Sequence, residues 1–228
     1  PTTLELGGKS PCILDASCRI EDAAAKIAHG KLLNAGQTCI APDYVLLPRA
    51  MEGRFVEAFT QAANRLFPRF DGNPDYAALV GDRYAERLDA LVADAQAQGA
   101  RVHAVATPPT DNGTRQMVPR LVLGATADMA LMQQEIFGPV LPVIACESTA
   151  EAISFINARP RPLALYWFGD DTAQRDAVLQ GTVSGGVTVN DTLMHIAHEG
   201  LPFGGVGDSG WGASHGETGF LRFTHQKA

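Results

Sequence analysis

Asn34-Ala35-Gly36-Gln37-Thr38-Cys39-Ile40-Ala41-Pro42-Asp43 separates two runs of opposite character. Before it, residues 21–33 place Ala24, Ile27, Ala28 and Lys31 on one helical face with Leu32 beside them, and that spacing predicts a helix. After it, Tyr44-Val45-Leu46-Leu47 is a short apolar run, which predicts a strand. Asn-Ala-Gly ends the helix, because glycine tolerates the left-handed conformation a C-terminal cap needs. Asn34 reads as part of that cap, and Pro42 prevents the helix from resuming. Cys39 therefore sits on a short connector between two regular elements, where a thiol can face a cleft and act as a nucleophile. The bland reading is a small buried hydrophobe, the ordinary state of a free cysteine.

The same alternation runs through the chain. Thr3-Leu4-Glu5-Leu6 reads as a short strand before a Gly-Gly turn, and Ile13-Leu14-Asp15 as the next. Asp15 and Ser17 are cap candidates for the helix that follows. Helices are expected over 51–66, with Phe55, Ala58, Phe59 and Ala62 on one side, and over 83–98, with Leu88, Leu91, Val92 and Ala95 as the stripe and Gly99 as the cap. Strands are expected over 102–105, 140–145, 163–168 and 186–189, an extended segment over 117–123, and helices over 149–157 and 172–179. Residues 68–74 and 107–114 read as loops. Residues 190–216 read as a glycine-rich loop and 218–223 as a short closing helix or turn. Short apolar strands alternating with helices indicate an α/β fold: an open, mostly parallel twisted sheet with helices on both faces.

Composition narrows the function. The 228 residues are 46% hydrophobic and 19% charged, with 18 basic against 25 acidic side chains and a net charge of −7. That balance argues against a nucleic-acid-binding face. No apolar run reaches the ~18 residues of a membrane span, and Pro1-Thr2-Thr3-Leu4 lacks the basic and apolar regions of a signal peptide. Cys12, Cys18, Cys39 and Cys146 form no C-x-x-C pair, so no zinc or redox motif is expected, and free thiols fit a cytoplasmic location. His195 and His198 stand three apart but lack a third ligand, so they read as loop or surface residues and no metal is expected.

Three further segments keep Cys39 company: Leu4-Glu5-Leu6-Gly7-Gly8-Lys9-Ser10-Pro11, Glu135-Ile136-Phe137-Gly138-Pro139-Val140 and Pro202-Phe203-Gly204-Gly205-Val206-Gly207-Asp208-Ser209-Gly210. In that order, with the Cys39 stretch, they resemble the aldehyde dehydrogenase superfamily. The wording from Gly36 to Tyr44 is most similar to the branch that oxidises fatty and aromatic aldehydes, including coniferyl-aldehyde-type enzymes.

The resemblance implies oxidation of an aldehyde with NAD or NADP. Cys39 would be the nucleophile and Glu5 the general base. Glu135 and Phe137, with Leu6 and Gly7, would hold the nicotinamide half of the cofactor. Phe203 and Asn190 would border the aldehyde. Taken alone, Glu5 reads as an exposed strand-edge carboxylate, Gly138-Pro139 as a turn, and Phe203 and Trp211 as plugs under a glycine-rich loop. Gly204, Gly205, Gly207 and Gly210 serve backbone geometry, because no Lys-Ser/Thr follows and no helix opens there.

A complete member of that family is longer than this chain. Residues 1–8 are expected to be the terminal strand of an otherwise absent cofactor-binding domain, 9–190 an α/β catalytic domain, and 191–228 the glycine-rich substrate-side loop and closing segment. The asparagine that supplies the family's second oxyanion donor lies upstream of what is present. Weak binding of the dinucleotide is therefore expected, and a homodimer or oligomer is expected of the whole protein. Two other readings stay open: a cofactor-independent cysteine esterase or acyl transferase, and a non-catalytic domain that associates with itself.

Overall fold

The computed structural model describes residues 1–108, 113–225 and 227; part of the loop expected over 107–114 lies outside them. In chain order the elements are β1 (Leu4–Glu5), β2 (Ser10–Leu14), α1 (Ile20–Leu32), β3 (Pro42–Pro48), α2 (Glu52–Leu66), α3 (Asp82–Ala97), β4 (Arg101–Ala104), β5 (Arg120–Leu123), α4 (Ala130–Gln133), β6 (Val140–Cys146), α5 (Thr149–Asn157), β7 (Ala164–Phe168), α6 (Thr172–Gly181), β8 (Gly186–Val189), α7 (Met194–Ala197), β9 (Gly210–Trp211) and α8 (Gly216–Arg222).

Seven strands form one sheet in the order β4-β5-β6-β3-β2-β7-β8. Every neighbouring pair is parallel except β4 with β5 at one edge. The central strands are apolar along their length because both faces are covered; all five residues of β7 are buried. On one face α1 and α2 pack through Ile20, Ala24, Ile27, Phe55 and Phe59 onto Cys12, Val45 and Leu47. On the other, Leu88, Leu91 and Val92 of α3 and Ile156 of α5 pack onto Ile13, Leu46 and Leu165. The apolar stripes expected for α1, α2 and α3 are the ones buried.

Several expectations are corrected. Neither Asp15 nor Ser17 caps α1: the cap residue is Arg19, without a side-chain bond. Ser17 instead binds Asp15 and accepts the N–H groups of Asp170 and Asp171 at 2.8 and 3.0 Å, tying the end of β2 to the start of α6. The stretch 190–216 is not all loop. It contains α7, a single 3-10 turn at Gly207–Ser209, and β9. β9 pairs antiparallel with β1 as a two-stranded ribbon outside the main sheet. Pairing between Leu4-Glu5 and Gly210-Trp211, distant in sequence, leaves no periodic signal. No helix among the described residues is long and apolar enough to cross a membrane.

Candidate active site

Parallel strands align their beginnings along one edge. Gly7 to Lys9 lead into β2, Cys39 precedes β3 and Glu135 to Pro139 lead into β6. Because β6, β3 and β2 are consecutive in the sheet, these three segments stand side by side at its N-terminal edge.

The connector carrying Cys39 is held rigidly. Asn34, Ala35 and Gly36 all adopt left-handed conformations, with φ of 50°, 52° and 75°. The chain therefore turns on three residues, not on Gly36 alone. Asn34 and Gln37 bond reciprocally, backbone and side chain, at 3.0–3.2 Å. The Gln37 amide also donates to the carbonyl of Ala78 at 3.1 Å and accepts the N–H of Val80 at 2.9 Å. Thr38 to Ala41 close a tight turn, Ala41 N–H to Thr38 carbonyl at 3.1 Å. Buried Tyr166 donates its hydroxyl to the carbonyl of Ile40 at 2.6 Å. A Cβ on Gly36 would stand 2.4 Å from the Gly138 carbonyl oxygen, so only glycine lets the Cys39 connector reach the Glu135 segment.

Cys39 is half-buried and Glu5 exposed, and the Glu5 carboxylate faces the Cys39 thiol. Burial first and Glu5 second push that thiol up to about 12, while the N–H of Cys39 itself, turned to the sulfur, acts the other way. In this state the sulfur holds its proton, and the Glu5 carboxylate beside it opposes its ionisation.

Gly7, with φ of 74°, brings the backbone against Glu135: a Cβ there would stand 2.9 Å from both carboxylate oxygens. Glu135 accepts the Gly8 N–H and is pushed up to about 7, chiefly by burial. Arg87 of α3 fixes the segment's backbone, donating to the carbonyls of Glu135, at 3.2 Å, and Ile136. Phe137 adopts a left-handed φ of 52° and is 37% exposed; Leu6 is 60% exposed. Leu6, Gly7 and Glu135 also line a cavity of about 380 Å³ with Lys9, Arg159 and Arg161, which Cys39 does not line. An acceptor pair with an uncovered aromatic ring beside it, on a backbone cleared of side chain, fits the ribose and nicotinamide of a dinucleotide.

Phe203 is buried, fixed by paired backbone bonds with Ser214 at 2.7 and 2.9 Å. Its ring stacks between His195 and His215, with centroids 6.0 and 5.5 Å away, in the same apolar cluster against which Cys39 packs. Asn190 is not brought to this edge. It follows the C-terminal end of β8, and its amide is consumed by both backbone groups of Gly169 at 2.8 Å. The loop reading of His195 is also corrected: it is buried on α7, with Nδ1 2.9 Å from the Thr188 hydroxyl. Among the described residues no group of three or more His, Cys, Asp or Glu is placed to hold a metal.

The sequence reading gave no role to Gln37, Asp43 or Arg87. Buried Asp43 pairs with Lys9 and accepts the Ile136 N–H at 3.0 Å, joining the β2, β3 and β6 leads. A carboxylate inside an apolar strand run was the available signal, because such a group requires a partner.

Comparison with known proteins agrees with this architecture. The chain is 51% identical to a probable coniferyl aldehyde dehydrogenase of Caulobacter vibrioides, over all of this chain and 48% of that protein. A substrate-bound AldH structure from Staphylococcus aureus superposes with a TM-score of 0.91 at 41% identity, covering the whole chain and 49% of its own. A Mycobacterium tuberculosis aldehyde dehydrogenase complexed with NAD+ superposes at 0.86 and 28% identity, over 99% of this chain and 47% of that one. The chain thus spans about half the length of the relatives it matches. The profile described as "Aldehyde dehydrogenase family" matches residues 1–228, and with sequence and fold agreeing over that whole length, this chain belongs to the aldehyde dehydrogenase family.

Proposed function

We propose that this chain carries the catalytic half of an NAD(P)-dependent oxidation of an aromatic or long-chain aldehyde to its acid. The observation that carries this reading is the meeting of Cys39 with Glu5 on one side and of Glu135 with Gly7 on the other, along a single sheet edge. The Cys39 sulfur bonds to the aldehyde carbon as its proton passes to Glu5. With the thiol at about 12, that transfer is coupled to carbon–sulfur bond formation and does not precede it. The Cys39 N–H, already turned to the sulfur, donates to the oxygen that gains charge. A bound nicotinamide dinucleotide supplies the acceptor for the hydride released by the thiohemiacetal carbon. Glu135 would accept hydrogen bonds from ribose hydroxyls, and Phe137, Leu6 and Gly7 would hold the nicotinamide half beside it. Glu5 passes that first proton to solvent, then takes one from the water that hydrolyses the Cys39 thioester and returns it to the leaving sulfur, releasing the acid and restoring the thiol.

The similarity to a probable coniferyl aldehyde dehydrogenase and the buried Phe203 ring support an aromatic or long apolar substrate. The proposed division is 1–8 with the cofactor-binding side, 9–190 catalytic and 191–228 on the substrate side. A cytoplasmic homodimer or oligomer is proposed for the whole protein. The test is acylation by an aryl ester, read by peptide mass spectrometry, together with NAD-dependent acid formation from a cinnamaldehyde. Acylation at Cys39, slowed in Glu5→Gln and lost in Cys39→Ala, supports the assignment; label spread over all four thiols defeats it. The chain alone is expected to bind NAD weakly, and saturable micromolar binding by calorimetry would overturn that expectation.

A further inference from the structure

Tyr166 stands at the centre of β7, fully buried, opposite Cys12 of β2 and Thr188 of β8. A phenol in such a place requires a partner for its hydroxyl, and the one it has is the carbonyl of Ile40, at 2.6 Å. Its ring lies against His195, with centroids 6.0 Å apart. His195 is anchored in turn to Thr188. The imidazole fits because Gly186 has no side chain: a Cβ there would stand 2.6 Å from His195 Cδ2. Packing on β7 and β8 therefore aims the hydroxyl independently of the turn it binds.

The Ile40 carbonyl and the Ala41 N–H are the two ends of one planar peptide group. That N–H donates to the Thr38 carbonyl at 3.1 Å, and the Thr38 carbonyl shares its own peptide group with the Cys39 N–H. A line of hydrogen bonds thus runs from the Tyr166 hydroxyl through two peptide groups to the N–H of Cys39. Bonds in such a line polarise one another, and a low local dielectric strengthens them; Ile40 and Ala41 are both buried. We propose that Tyr166 is a positioning residue for the reaction at Cys39: its hydroxyl, acting through the Ile40–Ala41 and Thr38–Cys39 peptide groups, orients and polarises the N–H that donates to the developing oxyanion. The proposal rests on the reading of Cys39 as the nucleophile. The alternative is a bond that only stabilises the fold, and Tyr76 supplies the comparison. Buried too, it donates to the carbonyl of Met117 at 2.9 Å, outside the Cys39 turn.

The test compares two reactions of the same thiol. Acylation by p-nitrophenyl acetate puts negative charge on a carbonyl oxygen and draws on the donor. Alkylation by iodoacetamide displaces iodide without an oxyanion, and needs only the thiolate and access to it. Both are read at Cys39 by peptide mass spectrometry. In Tyr166→Phe the ratio of acylation rate to alkylation rate should fall about tenfold, less than the ~10²–10³ lost when an oxyanion donor is removed outright. In Tyr76→Phe the ratio should stay that of the parent. An unchanged ratio in folded Tyr166→Phe overturns the proposal. If that variant does not fold, Tyr166→3-fluorotyrosine decides, because it keeps the bond and makes the hydroxyl a stronger donor. The ratio should then rise about twofold, and an unchanged ratio overturns the proposal equally. Acylation that persists in Cys39→Ala overturns the nucleophile reading and the proposal with it; Cys39-dependent acylation with an unchanged ratio overturns the proposal alone.

Discussion

Cys39 and Glu5 are coupled with opposite signs in two kinds of experiment. Removing the Glu5 charge lowers the thiol from about 12, so Glu5→Gln should raise the rate of iodoacetamide alkylation at pH 8 by roughly tenfold per unit recovered. The same change should slow thiohemiacetal formation, which needs a base. A fall in both rates would mean that Glu5 ionises the thiol in the resting chain. Glu135 gives a second prediction. Its acid form is stabilised in the folded chain, so the stability it contributes is fully present below about 4.5 and is lost as pH rises through about 7. Glu135→Gln should therefore raise the melting temperature at pH 8 and not at pH 5. The gain should be about 1 kcal/mol, well below the linkage limit because much of the carboxyl faces water. Both residues were legible because each lies in a motif. Lys31 was legible only as a position on the buried face of α1.

At the scale of elements, apolar periodicity identified α1, α2, α3, α5 and α6 and the strands of the main sheet, often to within two residues, because burial of one face or both is a local signal. The ribbon of β1 with β9 and the short α7 were not legible, since long-range pairing and stacking against Phe203 hold them. Asn190 was misplaced for a related reason: a polar residue at a strand end reads alike at either edge of the sheet. The α1–β3 connector yields a prediction of its own. Gly36→Ala would combine a left-handed backbone with a Cβ 2.4 Å from the Gly138 carbonyl. It should destabilise the chain by about 2 kcal/mol or more in urea unfolding and reduce acylation of Cys39 even where the protein stays folded. Asp43→Ala strands Lys9 in a nearly buried site and should cost about 3–5 kcal/mol; retention of stability there would show that Lys9 finds other acceptors.

Over the whole molecule, large apolar side chains are exposed on the β1–β9 ribbon and α8: Leu4, Trp211, Phe220 and Phe223. Arg222 of α8 donates to the carbonyl of Thr2 at 2.7 Å, so ribbon and helix form one flank. Sedimentation velocity should show concentration-dependent self-association, reduced in Trp211→Glu/Phe220→Glu; a monomer at every concentration would count against an adhesive flank. The location of the site has a wider electrostatic consequence. Ligands of open α/β sheets ordinarily sit beyond the carboxyl ends of the strands, whereas here the candidate residues stand at the amino ends. Crossover helices run against the strands, so α1, α5 and α6 all end toward this edge. A helix C-terminus carries roughly half a negative elementary charge. Such poles disfavour a resting thiolate and favour a cationic group over a neutral one, within about a turn of each helix end.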